Sequence, residues 1–189
     1  MRWIAPIIIF ALTAALGFYT VLNALPGRIM DRAMERLEAR GEINSASHAL
    51  PVTEASRDVV RPSPDLMYSI CVFDLSQGPL LITAPWPRDG NYASVSFYDD
   101  RTNNFGVVSD RDVDENRRAR IFLQQEAFPF PPGHDVGQHR TITAPSETGL
   151  ALFRMVYDPA DVETADARRR QFVCEAAPQA DPVTNVTGG

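Results

Sequence analysis

From Trp3 to Leu25 the chain carries no charged side chain. A run of that length spans the hydrocarbon core of a bilayer with some tilt, and nothing else in the sequence restricts its own fold so tightly. Pro6 falls within the first turn or so, where a helix tolerates proline best. Trp3 suits the membrane interface. The rival reading is a cleaved signal peptide, whose apolar region is usually shorter. Its cleavage site would be small-x-small, and Asn23-Ala24-Leu25-Pro26 is a poor one. The sequence therefore predicts a retained, single-pass anchor over residues 1–27, with the lipid bilayer as partner through residues 3–25.

Residues 28–60 read as a stalk helix and connector. Ile29, Met30, Ala33, Met34 and Leu37 recur at spacings of three and four, which marks one helix face, and Gly41 is a reasonable stop. Such a stripe usually packs on its own domain; the sharper reading is docking to a partner helix in a membrane complex. Pro51 and mixed polarity make the rest a connector with room for one short strand. Arg28, Arg32, Arg36 and Arg40 follow the span and only Arg2 precedes it, so the positive-inside rule keeps the rest of the chain in the cytoplasm. A short N-terminus followed by an apolar run is, however, the usual start of an exported protein. We take the periplasmic side of the inner membrane as the expectation.

The 189 residues suffice for one domain with a real core plus appendages. A net charge of −6 argues against nucleic acid, which requires a basic face. All 18 basic residues are arginine. The absence of lysine excludes Schiff-base and pyridoxal-phosphate chemistry and a Walker-type phosphate loop. No cofactor is implied.

Residues 61–176 read as the β domain, and 61–106 is its densest part. Three apolar runs are cut by Pro62 and Pro64, by Gln77-Gly78-Pro79, and by the segment from Pro85 to Gly90. In the third run Ala93, Val95 and Phe97 alternate with Ser94, Ser96 and Tyr98, the period of a half-buried strand. Leu80 to Thr83 suits a strand buried between layers. Together they predict a β-meander with polar groups at its turns.

P-S-P-D-L-M-Y-S, V-F-D-L-S-Q-G-P and a Tyr-rich strand leading to T-N-N-F resemble the DUF1254 family of bacterial proteins. The resemblance is carried by Pro62, Asp65, Tyr68, Ser69, Asp74, Leu75, Ser76, Gly78, Pro79, Asp99, Thr102, Asn103 and Phe105. Ser63 and Leu66 stand where the family tends to have Asn and Thr. The resemblance implies a mainly β fold: an antiparallel, β-sandwich-like domain with a C-terminal helix, behind the anchor and stalk helices. It implies an exported protein and supplies no reaction. It also implies a partner, because family members often carry a second domain related to DUF1214. This chain is too short to hold one, so a separate DUF1214-type protein is the expected source.

Ser109 to Arg120 mixes charges and reads as a solvated loop. Asp110, Asp112 and Asp114 alternate like the first ligands of an EF-hand, but Glu115 replaces the glycine and Ile121 the closing glutamate, so no metal is expected. Ile121 to Gln125 reads as a strand and Phe128 to Gly133 as a rigid connector. His134 and His139 are two histidines where zinc requires three or four ligands. Arg140–Ala144 and Leu150–Tyr157 read as strands joined by a turn. Arg154 interrupts the second, and a guanidinium there requires a partner: a structural ion pair with Asp74 or Asp99 is expected, with an anion-binding arginine as the rival reading. Asp158 caps a following helix, Pro159 takes its first position, and Arg168, Arg169 and Arg170 suit its negative end. Residues 177–189 read as a flexible tail. Cys71 and Cys174 are compatible with a disulfide in an oxidising compartment or with two buried thiols.

Two functions follow. The first is a non-catalytic binding or assembly module tethered to the membrane, since no nucleophile elbow, zinc motif, redox motif or dinucleotide loop is present. The second is a periplasmic hydrolase or lyase acting on a small polar substrate through Asp65, Tyr68, Asp99 and Arg154. Candidate binding residues are Asp65, Tyr68, Ser69, Asp99, Asn103 and Arg154. Aspartates beside turns more often bond backbone amides, and tyrosines beside strands more often pack in cores.

Overall fold

The computed structural model describes residues 3–52, 62–87, 91–109, 118–125 and 140–177. Anchor and stalk form a single helix, α1 (Ile4–Glu38), of 35 residues with Pro26 in its interior. At about 1.5 Å per residue it is roughly 52 Å long, well beyond one bilayer core. Its first part is exposed throughout and apolar enough to cross a membrane. Past Pro26 the helix turns one side to the domain, burying Met30 and Leu37, with Ala33 and Met34 half-buried between them. Ile29, expected on that face, is exposed.

The domain is a two-sheet sandwich of nine strands among the described residues. The first sheet contains β1 (Ala46–His48), β2 (Leu66–Asp74), β8 (Thr148–Val156), β4 (Ala93–Asp99) and β5 (Asn104–Ser109), in that order, all antiparallel. The second contains β7 (Arg140–Thr143), β6 (Arg118–Gln124), β3 (Leu80–Pro85) and β9 (Val173–Ala176). Its β6–β7 pair is parallel, the one departure from an antiparallel sandwich. The expected meander is corrected here: β2 and β4 both pair with β8, while β3 lies in the other sheet. The chain crosses between layers at each of those turns, which is why β3 is apolar on both sides. The first sheet also takes in Ala46–His48, upstream of Arg61.

Odd-numbered side chains of β2, β4 and β8 face the second sheet. Cys71, Phe73, Val95, Phe97, Ala151, Phe153 and Met155 meet Leu80, Ile82, Ile121 and Leu123 in one core. Trp86 and Phe172 stack on either side of Phe153, with ring centroids 5.9 and 5.2 Å away. Gly149 belongs to this layer because a Cβ there would stand 2.3 Å from the Tyr98 carbonyl oxygen. The outer side of β4 was expected to meet water, yet Ser94 and Ser96 are buried as well.

After β8, the Asp158 carboxylate accepts from the Ala160 amide at 2.9 Å and opens a 3₁₀ turn, Pro159–Asp161. Helix α2 (Val162–Arg169) follows and packs against β2. A disulfide then joins Cys174 on β9 to Cys71 on β2, with Cα atoms 6.3 Å apart and a sequence separation of 103. It links the two sheets and closes most of the domain into one loop.

Candidate functional site

The polar residues carried by the family-like motifs are found first in turns. Asp99 Oδ1 accepts from the amides of Arg101 (2.9 Å) and Asn103 (2.7 Å), and Oδ2 accepts from the Asn103 side chain (2.8 Å). Thr102 takes the left-handed conformation this tight β4–β5 turn requires, at φ 67°. Burial works to raise the Asp99 carboxyl. The bonds from Asn103 and Arg101 outweigh it and hold the group below the usual carboxylate range. Asp74 likewise accepts from the Ser76 amide at 2.8 Å, and Gly78, at φ 133°, turns the chain after it. The Asp65 amide donates to the Ser63 hydroxyl at 3.4 Å, and the Tyr68 hydroxyl accepts from the Ser63 amide at 2.9 Å. These side chains hold backbone.

Arg154 does not pair with Asp74 or Asp99, which corrects the expected ion pair. It projects from the outer side of β8, level with Tyr68 on β2 and Ser94 on β4. Asp99 lies five residues further along β4, on the opposite face, so the strand alternation alone separates it from Arg154. The Arg154 guanidinium instead donates through Nη2 to the hydroxyls of Ser96 (3.1 Å) and Ser94 (3.4 Å). Ser94 also accepts from the Tyr92 hydroxyl at 2.8 Å. The buried Nε–H of Arg154 has no acceptor, and no carboxylate among the described residues reaches the group. Helix α1 packs on β2 and β8, and its two contacts with the β4–β5 turn lie at the other end of this face. There Arg101 donates to the Asn23 carbonyl at 2.8 Å and Gly27 abuts the Asp100 carbonyl.

A second polar cluster lies between β1, β2 and α2. His48 Nδ1 and Ser69 Oγ share a 2.8 Å hydrogen bond. Arg169, only 1 % exposed, donates to the carbonyls of Tyr68 and Ala49 and to the Asp166 carboxylate, which also accepts from Arg170 at 2.8 Å. Burial first, then the positive charges of Arg169 and Arg170, depress the His48 imidazole. Burial works to raise Asp166, but the bonds and charges of Arg170 and Arg169 bring it below its ordinary value. A serine beside a histidine has the parts of a nucleophile and base. Ser69, however, is 0 % exposed, so a substrate has no approach to its hydroxyl.

Of the predicted binding residues, then, Tyr68 and Arg154 are neighbours on one face and Asp65 lies in the turn that leads to them. Ser69 points into the sandwich, and Asp99 and Asn103 close the far end. Asp110, Asp112, Asp114, His134 and His139 lie outside the described residues.

The family model for DUF1254, described as a protein of unknown function, matches residues 43–176. The chain belongs to the DUF1254 family. No curated protein matches it. Among solved structures, the VPA0106 protein of Vibrio parahaemolyticus has a similar fold: TM-score 0.60 at 10 % identity, over 87 % of this chain and 39 % of that one. An uncharacterized protein from Burkholderia cenocepacia gives 0.51 at 18 % identity, over 92 % and 45 %. The chain thus spans less than half the length of either structure. At these identities the likeness shows the fold of the DUF1254 domain alone.

Sequence reasoning missed His48, Tyr92, Asp166 and the burial of Arg169. Ser94 and Ser96 were seen, but as a solvent face. A legible signal existed for them: in β8 Arg154 replaces one member of the outer stripe Leu150, Leu152, Val156, which marks a polar patch on the strands beside it.

Proposed function

We propose that this protein is a non-catalytic binding or assembly module held at the inner membrane by α1, with its DUF1254 domain in the periplasm. The observation that carries the non-catalytic reading is the use of Asp74 and Asp99 to bond turn amides, with the Asn103 side chain donating to the Asp99 carboxylate, which leaves them no acid–base task. The periplasmic side is supported by the Cys71–Cys174 bridge, since disulfides persist in oxidising compartments. It runs against the four arginines after the span. The alternative, a hydrolase or lyase working through Asp65, Tyr68, Asp99 and Arg154, requires groups from opposite faces and ends of one sheet to converge.

A reporter active only in the periplasm, fused after Gly189, tests the location. We expect activity there; activity of a cytoplasmic reporter instead overturns the periplasmic reading and the reason for the bridge. The assembly reading names a DUF1214-type protein as partner. Detergent extraction and affinity purification should recover it, and recovery of the tethered chain without any such protein removes that partner.

A further inference from the structure

A guanidinium in the midst of a sheet face requires an explanation from its surroundings. Along the outer side of β8 the sequence places Leu150, Leu152, Arg154 and Val156. Leucine would fit that stripe and would need no hydrogen bonds. Desolvating a charged group without a counter-ion costs several kcal/mol, and two serine hydroxyls are a weak substitute for a carboxylate. The arginine therefore does not stabilise the sheet. Its neighbours are consistently neutral donors: Ser94 and Ser96 on β4, Tyr92 before β4, and Tyr68 level with it on β2. Tyr92 is 44 % exposed and Arg154 is half-buried, so the cluster opens to solvent on that side. Helix α1 packs on β2 and β8, and its contacts with Asp100 and Arg101 lie at the β4–β5 turn, the opposite end of the sheet.

We propose that Arg154, with Tyr68 and Tyr92 beside it, is a binding site for a carboxylate group of a small organic acid or of a peptide C-terminus. A single positive charge ringed by hydroxyls matches a single negative charge. A phosphate dianion usually draws more than one cation. The planar guanidinium offers a carboxylate two parallel N–H donors, and its unpaired Nε–H is one of them once the side chain adjusts. Ser94 and Ser96 act through Arg154: they are positioning residues that fix the fork. This site is independent of the side of the membrane on which the domain lies and of any protein partner.

The test uses the full chain in detergent with arginine side chains labelled with ¹⁵N. Propionate is titrated against chloride at constant ionic strength while the Arg154 Nε–H resonance, assigned by its loss in Arg154→Gln, is followed. We expect a saturable shift with a millimolar midpoint. Under the same conditions the other arginine Nε–H signals should not saturate. Arg154→Gln should lose at least tenfold in propionate affinity, read from the Tyr92 ring signals, and Tyr92→Phe should lose severalfold with the Arg154 signal retained. A flat Arg154 signal, or an unchanged midpoint in Arg154→Gln, overturns the site. Saturation by inorganic phosphate but not propionate overturns the carboxylate assignment. If Arg154→Gln fails to fold, Arg154→Lys removes the same Nε–H resonance and serves the assignment, and the wild-type titration decides alone.

Discussion

Arg154 on β8 is half-buried and Arg169 at the end of α2 is buried, and both belong to the surroundings of Tyr68. Arg169 bonds the Tyr68 carbonyl; Arg154 lies level with Tyr68 on the neighbouring strand. Their environments differ in kind. Arg169 is almost wholly enclosed, and it meets one carboxylate and the backbone carbonyls of Ala49 and Tyr68. Arg154 meets neutral hydroxyls; both arginines leave a buried Nε–H without an acceptor among the described residues, so the carboxylate alone distinguishes them. The first is a clasp whose charge is compensated inside the protein. The second carries a charge that no carboxylate among the described residues compensates, and this difference separates architecture from a candidate site better than burial does.

The clasp is also doubled. Arg169 and Cys174 both fasten the C-terminal segment to β2, one through Tyr68 and the other through Cys71. Breaking the covalent link should have the largest effect. In the chain-entropy model a loop of this size is worth about 4–5 kcal/mol, so Cys71→Ala with Cys174→Ala should lower the urea midpoint by most of the domain's stability. A change of less than about 1 kcal/mol would mean that the non-covalent clasp holds β9 unaided. Next comes Arg169→Met. Removing one partner of a buried charge pair costs about 3–5 kcal/mol, and here the Ala49 carbonyl loses its bond from the guanidinium as well. Equilibrium unfolding checks it; an effect as small as that of an exposed arginine would erase the contrast with Arg154.

Smaller effects depend on pH. His48 has a depressed folded-state pKa, so the folded protein holds fewer protons than the unfolded chain just below the ordinary histidine value. Stability is then full above about pH 6.5 and declines as the pH falls through the folded value. His48→Gln should flatten the decline between about pH 7 and 5, measured by urea midpoints at each pH. Asp166 and Asp99 are depressed carboxyls, whose contribution is present above about pH 4 and is lost on further acidification. Asp99→Ala should cost about 1–2 kcal/mol at neutral pH through the unbonded Arg101 and Asn103 amides, and little at acid pH.

How far the sequence disclosed these regions follows from the range of each interaction. The long apolar helix, the β4 alternation and the Asp158-Pro159 helix start were legible because each is decided by residues within a turn or two. The turn motifs were legible as turns for the same reason, Asp99 and Asp74 bonding amides two to four residues away. The layer of each strand was not. Nothing local tells β3 to leave β2 for the second sheet, so a sandwich read as a meander. Partners of Arg154 and Arg169 were illegible in the same way, since Ser94 lies 60 positions away and Ala49 lies 120 positions away. The Arg169 triplet was read as a favourable charge at a helix end, which accounts for Arg168 but not for a guanidinium that crosses to β2.

The smallest expected effect is the most decisive for the comparison. Arg154→Leu continues the stripe of Leu150, Leu152 and Val156 and removes a half-buried charge that has no counter-ion among the described residues. Replacing such a charge by an apolar group of similar length is commonly neutral or stabilising, because the desolvation penalty disappears with it. What remains is two serines, one of which keeps its bond from Tyr92. Stability should therefore stay within about 1 kcal/mol of the wild type, while Arg169→Leu loses several times as much. Carboxylate binding should vanish in the first variant, and should persist in whatever fraction of the second still folds. A loss of about 3 kcal/mol or more in Arg154→Leu would show that the serines do compensate the guanidinium. Arg154 would then be a second clasp, and the uncompensated charge on which the binding site rests would not exist.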